Sequence, residues 1–167
     1  RTRCSSLAPN KAGERTNRDR LKNPRKAWVN STAVKSEAIV PIPRMGGRVV
    51  IFAFGSPSSG VPHEWAATDN TPGVHVVAPL SDAAADELCR QLREVRQPGD
   101  VAVVSAHWGG NWGYRVAADQ IRFAHRLIDG GVHVVHGHSS HHPRPIEVYR
   151  GKLILYGCGD LVDDYAG

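Results

Sequence analysis

Asp100-Val101-Ala102-Val103-Val104-Ser105 is a short, largely β-branched run that delivers His107 just past its end. After it, the segment from Asp119 to Asp129 carries Ile121, Ala124, Leu127 and Ile128 on one helical stripe, and Gly130-Gly131 stops the helix. Val132 to His136 then returns as a strand that leads into Gly137. Strand, helix and strand in this order make an α/β layer, in which successive strand ends converge at one edge of a sheet.

The same alternation extends in both directions. Upstream, Arg48-Val49-Val50-Ile51-Phe52-Ala53-Phe54 reads as a buried strand closed by Gly55, and Ser56 to Gly73 is a turn-rich loop holding Trp65. Val74 to Val77 has the character of a further short strand. Ser81 stands where a helix N-cap belongs, ahead of a stripe made by Ala85, Leu88, Cys89, Leu92 and Val95, and Pro98-Gly99 ends that helix. Downstream, Ile146 to Tyr149 and Leu153 to Tyr156 form a hairpin across Arg150-Gly151-Lys152.

Composition bounds what such a chain does. With 41% hydrophobic and 22% charged residues among 167, it has enough apolar side chains for one globular core and is neither disordered nor fibrous. No apolar run approaches the roughly 18 residues of a membrane span, and no signal-peptide pattern opens the chain. It therefore reads as soluble, cytoplasmic by default, with any cell-envelope association left to a parent protein. Cys4, Cys89 and Cys158 are odd in number and widely spaced, which builds neither a disulfide framework nor a zinc ribbon and points to a reducing compartment.

The net charge of +5 is unevenly spread. Residues 1–44 hold 11 of the 21 Lys and Arg but 3 of the 16 acids, so residues 45–167 are net acidic. The first segment, with Pro9, Pro24, Pro41 and Pro43 and little periodicity, is expected to be a basic, loosely ordered extension, and 45–167 to be the domain. Nucleic acid is an unlikely partner, because no aromatic residue except Trp28 interleaves those charges. The chain opens on Arg1 and its one methionine is Met45, so it is expected to be a portion of something longer.

Histidine is the informative residue. Seven of nine fall between 107 and 142, five of them in His133-Val-Val-His136-Gly-His138-Ser-Ser-His141-His142. Imidazole is a common ligand of zinc, iron and manganese, and His107, His138 and His141 lie where two strand ends converge. They are the candidate metal ligands. His125 lies at helical spacing from Ile121 and Ile128 and reads as a core-edge side chain, His133 as structural or exposed, and His63 and His75 as packing or solvent residues.

Three ordered segments carry a family resemblance. They are Ser105-Ala-His107-Trp108-Gly109-Gly-Asn111-Trp-Gly-Tyr114, then Leu127 to His141, and Ile146-Glu147-Val-Tyr149 through Asp160. From about Met45 to Tyr165 the chain resembles the CapA family of bacterial capsule and poly-γ-glutamate synthesis proteins, whose domain is similar to calcineurin-like metallophosphoesterases. The resemblance implies a metallophosphoesterase-like layered sheet with flanking helices, of which this chain is the C-terminal portion. It implies one or two divalent transition-metal ions (Mn, Fe or Zn) on His107, His138 and His141, and substrate contacts at Trp108, Asn111, Tyr114, His142 and Asp160.

The departures from that pattern matter as much. Ser139-Ser140 replaces the family's central His-Pro, and Gly159-Asp160-Leu161 stands for its Gly-Asn-Phe. The early acidic strand end and the Asn-Asn-His motif are absent, so the N-terminal half of the domain is an expected missing partner. A two-metal hydrolytic site needs anionic oxygens to hold ions about 3.5–4 Å apart. Catalysis by this chain alone is therefore not expected. Two readings follow from the resemblance. In one, the intact parent hydrolyses a phosphate ester or amide bond, with a small phosphate-containing molecule or an anionic polymer as substrate. In the other, the domain binds or guides an anionic capsule polymer without catalysis, with Arg115, Arg144 and Arg150 supplying charge.

Overall fold

A computed structural model describes residues 37–43 and 46–161, and within them the β-branched runs assemble into one six-stranded sheet. In chain order the main elements are β1 (Glu37–Pro41), β2 (Arg48–Gly55), α1 (Asp82–Val95), β3 (Val101–His107), α2 (Ala118–Asp129), β4 (Val134–His138), β5 (Ile146–Tyr149) and β6 (Lys152–Leu155). In space the strands run β1-β2-β3-β4-β6-β5; the four inner strands are parallel and both edge strands antiparallel. The α/β class expected from the sequence is the class observed.

The helices follow from local signals. Ser81 Oγ accepts the Ala84 N–H at 3.2 Å and so caps α1. Ala85, Leu88, Cys89 and Leu92 of α1 pack with Phe123, Ala124, Leu127 and Ile128 of α2 in one apolar cluster, which also takes Val50, Phe52 and Phe54 of β2, Ala102, Val104 and Ala106 of β3, and Val135. The strand order advances in one direction from β2 to β3 to β4, so two right-handed crossovers place both helices on the same face.

Polar ties fix the ends of this layer. Arg48 Nε and Nη2 donate to Asp100 Oδ1 and Oδ2 at 3.0 and 2.5 Å, joining the start of β2 to the approach to β3. That guanidinium, with the Gln97 N–H at 2.8 Å, holds the buried Asp100 carboxyl down to about 2. Glu147 takes a 2.6 Å bond from the Tyr156 hydroxyl and lies 2.8 Å from His125 Nε2, which ties α2 to the β5–β6 hairpin. His125 also stacks on Tyr149, with ring centroids 3.9 Å apart.

Two sequence expectations are adjusted. The expected extension ended at residue 44, yet Glu37–Pro41 forms edge strand β1 on β2, in register from Glu37 opposite Phe52 to Pro41 opposite Arg48. Its apolar centre, Ala38-Ile39-Val40, is short enough to be lost beside the charge bias. The rest of that extension, residues 1–36, lies outside the described residues, as do 44–45 and 162–167. Val74–Val77 makes only isolated pairings, Val74 with Ala66 and Val76 with Gly55, rather than a strand.

The sheet's other face has the opposite character. Val49, Ile51, Val101, Val103, Val134 and Leu155 are half-buried there, and Ile146, Val148 and Leu153 are exposed. Among the described residues no helix lies on it. Parallel strands are normally covered on both faces; among the described residues this one is left largely uncovered, apart from the end of β2, where Val61 and Val74 approach Gly55.

Candidate functional site

The site begins with backbone register. Parallel pairing sets His107 of β3 opposite His138 of β4, and Ser105 opposite His136, so these four side chains leave the uncovered face in two rows at the carboxyl edge. His107 Nδ1 and His138 Nδ1 stand 3.1 Å apart. His136 lies one row back, its ring 5.6 Å from that of His138 and its Nδ1 3.4 Å from Ser105 Oγ. Gly137 between them is obligatory: a Cβ there would meet Trp108 Nε1 and Tyr156 O, each at 2.5 Å.

Electrostatics keep this pair neutral. Burial pushes His107 below the ordinary histidine value, and burial followed by repulsion from His107 and His136 pushes His138 down to about 4. Neutral imidazoles offer lone pairs. Two nitrogens each about 2.0–2.1 Å from one ion stand roughly 2.9–3.4 Å apart at right-angled to tetrahedral geometry, so the 3.1 Å separation suits two ligands of one metal.

His141 belongs to a different cluster. Its Nδ1 lies 2.9 Å from Asp160 Oδ2, its ring neighbours Trp112, and its backbone N–H donates to the Asn111 carbonyl at 3.2 Å. The three ligands expected together are thus placed as a pair and a separate member. Among the described residues no group of three or more His, Cys, Asp or Glu side chains is arranged to hold a metal ion. The loop between the two clusters is tightly held: Ser139 adopts φ 126°, uncommon for a residue with a side chain, and its Oγ donates to the Gly109 carbonyl at 3.0 Å.

The expected substrate contacts divide. Tyr114 is exposed and its ring lies 4.6 Å from that of His142, which Trp112 stacks at 6.1 Å. Asn111 is exposed, and Asp160 partners His141. Trp108 is a correction: it is 1% exposed, edge-on to Phe54 and Phe123, with its indole N–H donating to the Tyr156 carbonyl at 3.1 Å. It immediately follows β3 and turns into the helix-covered core, so it cannot wall a cleft. Arg150 is a second correction. The hairpin turn puts it at the amino end of β6, the opposite edge of the sheet, where it pairs with Asp129 at 3.0 Å.

Sequence reasoning named Trp112 with Trp108 and Tyr114 as a cleft wall but missed His136 as a member of this surface. The signal for His136 was present, because period-two alternation sets it on the same face as His138. Trp112 is 73% exposed, and only its loop's fold brings it against the histidines.

An α/β sheet whose candidate site gathers at the carboxyl ends of its parallel strands defines the class of protein. The family model described as bacterial capsule synthesis protein PGA_cap matches residues 29–165, and the chain belongs to that family. It is 56% identical over 121 residues to a probable polyglutamine synthesis accessory protein of Mycobacterium tuberculosis, a match covering 72% of this chain and 32% of that protein. Against the PGA biosynthesis protein CapA of Bacillus subtilis it is 33% identical over 100 residues, 60% of this chain and 25% of the relative. The chain thus spans about a third or less of the length of the curated relatives it matches. The CapA-family resemblance read from the sequence is the family found.

Proposed function

We propose that this chain serves capsule or poly-γ-glutamate synthesis as part of a CapA-type protein, with His107 and His138 as two ligands of a divalent transition-metal ion. The observation that carries this reading is the 3.1 Å approach of two neutral imidazole nitrogens on adjacent parallel strands. Such an ion supplies Lewis-acid polarisation of a phosphoryl or carbonyl oxygen. The chain's own part is to present two unprotonated nitrogens from a rigid sheet edge and to keep His141 oriented through Asp160. Hydrolysis of a phosphate ester or amide then belongs to a longer protein that brings anionic ligands to this edge.

Titration with zinc, followed by NMR of the imidazole nitrogens, tests the pair. Saturable shifts at His107 and His138 that vanish in His107→Ala and His138→Ala are expected. Imidazoles that stay unmoved at millimolar zinc in a folded chain would overturn the metal reading.

A second reading, binding of an anionic polymer without turnover, is favoured by the exposed aromatic wall of Trp112 and Tyr114 beside exposed Arg115. Poly-γ-glutamate binding that survives chelation, with no cleavage of the polymer, would select it.

A further inference from the structure

A cleft of about 320 Å³ lies between the Gly109–Gly113 loop and the start of α2, lined in part by Ser58, Gly109, Arg115, Asp119, Gln120 and Arg144. Its floor is unusual because two donors there lack acceptors. Arg144 is 7% exposed and Gln120 4%. Arg144 spends Nη2 on the carbonyls of Gly110 and Trp112, at 2.7 and 3.4 Å, while its Nε has no partner, and among the described residues no carboxylate pairs with it. Gln120 Oε1 accepts the Ala117 N–H at 3.3 Å, which fixes the amide's orientation and leaves Nε2 as a buried donor with no acceptor.

Both groups close on one spot. A Cβ on Gly109 would stand 2.8 Å from Arg144 Nη1 and 3.0 Å from Gln120 Nε2, so only glycine roofs them. The Nη1 end of the buried Arg144 cation and the unpartnered Gln120 Nε2 thus face one point, donor beside donor, which suits an acceptor from outside. The first turn of α2 brings its positive dipole end to the same cleft, where the Asp119 carboxylate already accepts the Gln120 N–H at 2.8 Å. Gly109 and Gly113, at φ 75° and 94°, hold the roof in a left-handed conformation that favours glycine.

We propose that this cleft is a carboxylate-binding subsite, with Arg144 and Gln120 donating to the carboxylate oxygens and Arg115 at the mouth. Charge selects the class of ligand. Arg115 and Arg144 against Asp119 leave one net positive charge in the lining, which matches a singly charged carboxylate better than a phosphate dianion. The subsite deepens the polymer-binding reading and rests on it for the origin of the carboxylate; its occupation requires no metal.

The test is an NMR titration of the 167-residue chain with N-acetylglycinate, beside the uncharged N-acetylglycinamide and inorganic phosphate. Saturable shifts of the Gln120 side-chain amide and the Arg144 Nε–H are expected with the carboxylate alone. Gln120→Glu places an internal carboxylate against Arg144, so it is expected to raise the melting temperature and weaken N-acetylglycinate at least tenfold. Arg115→Gln, an exposed change that leaves the fold intact, is expected to weaken it two- to threefold. Equal shifts with the amide, phosphate binding tighter than the carboxylate, no saturable shift, or undiminished binding in both variants would each overturn the proposal. Failure of the metal reading registers separately, at the imidazoles of His107 and His138 in the zinc titration.

Discussion

The two faces of the sheet are built from the same strands and put them to opposite uses. On the helix side, Val50, Phe52, Phe54, Val104 and Val135 alternate inward and are buried in one core. On the other side, their sequence neighbours Val49, Ile51, Val103, Val134 and His136 stay half-buried, and the histidine pair sits at that face's carboxyl edge. Period-two alternation thus separates what holds the layer together from what it presents outward. The first face should govern stability, and binding should fall to the second face and to the carboxyl edge of the sheet.

The largest break is expected at the aromatic centre of the covered face. Trp108→Ala removes a fully buried indole packed on Phe54, Phe123 and Tyr156 and should cost about 3–5 kcal/mol by denaturant unfolding. Gly137→Ala forces a methyl against the Trp108 indole and the β6 backbone, and should cost about 1–3 kcal/mol while displacing both metal-candidate histidines. Acid unfolding probes the same layer through Asp100. Its carboxyl titrates near 2 when folded and at the ordinary 3.8 when unfolded, so its contribution is complete above about pH 5 and fades as pH falls towards 2. Asp100→Asn should flatten the pH dependence of stability in that window, a comparison read from denaturation midpoints at pH 5, 3.5 and 2.5. Val148→Thr, on the open face, should change stability by less than about 0.5 kcal/mol. A loss as large as that of Gly137→Ala would show that the open face carries stability after all.

Much of this division was readable from residues alone. The stripes of α1 and α2, the Ser81 cap, the β3–α2–β4 unit and the β5–β6 hairpin rest on short-range signals, and each appears where its signal stands. Strand β1 was missed because its few apolar residues lie within a charge-biased stretch and are organised only by pairing with β2. The site was legible in part. The clustering of histidines pointed to the edge where His107, His136 and His138 gather, and alternation limited which of them share a face. Spacing along the chain could not show that the loop after β4 carries His141 towards Asp160 and Trp112. Nor could it show that Trp108 turns inward while Trp112 turns out, since both lie in one glycine-rich run and only the packing of Phe54, Phe123 and Tyr156 tells them apart. The Arg144 and Gln120 pair, 24 residues apart in the chain, met only in the folded structure.

The level pairing of His107 with His138 has a mechanical consequence. Neighbouring strands lie about 4.8 Å apart whatever the sequence, so the gap between these imidazoles is gauged by the hydrogen-bond ladder and not by a loop. Loop changes around residues 109–115 can therefore retune what reaches the edge without altering its bite. A one-residue slip of β4 would instead carry His136 and His138 together to the helix side, so the pair should be gained or lost as a unit and not weakened by degrees.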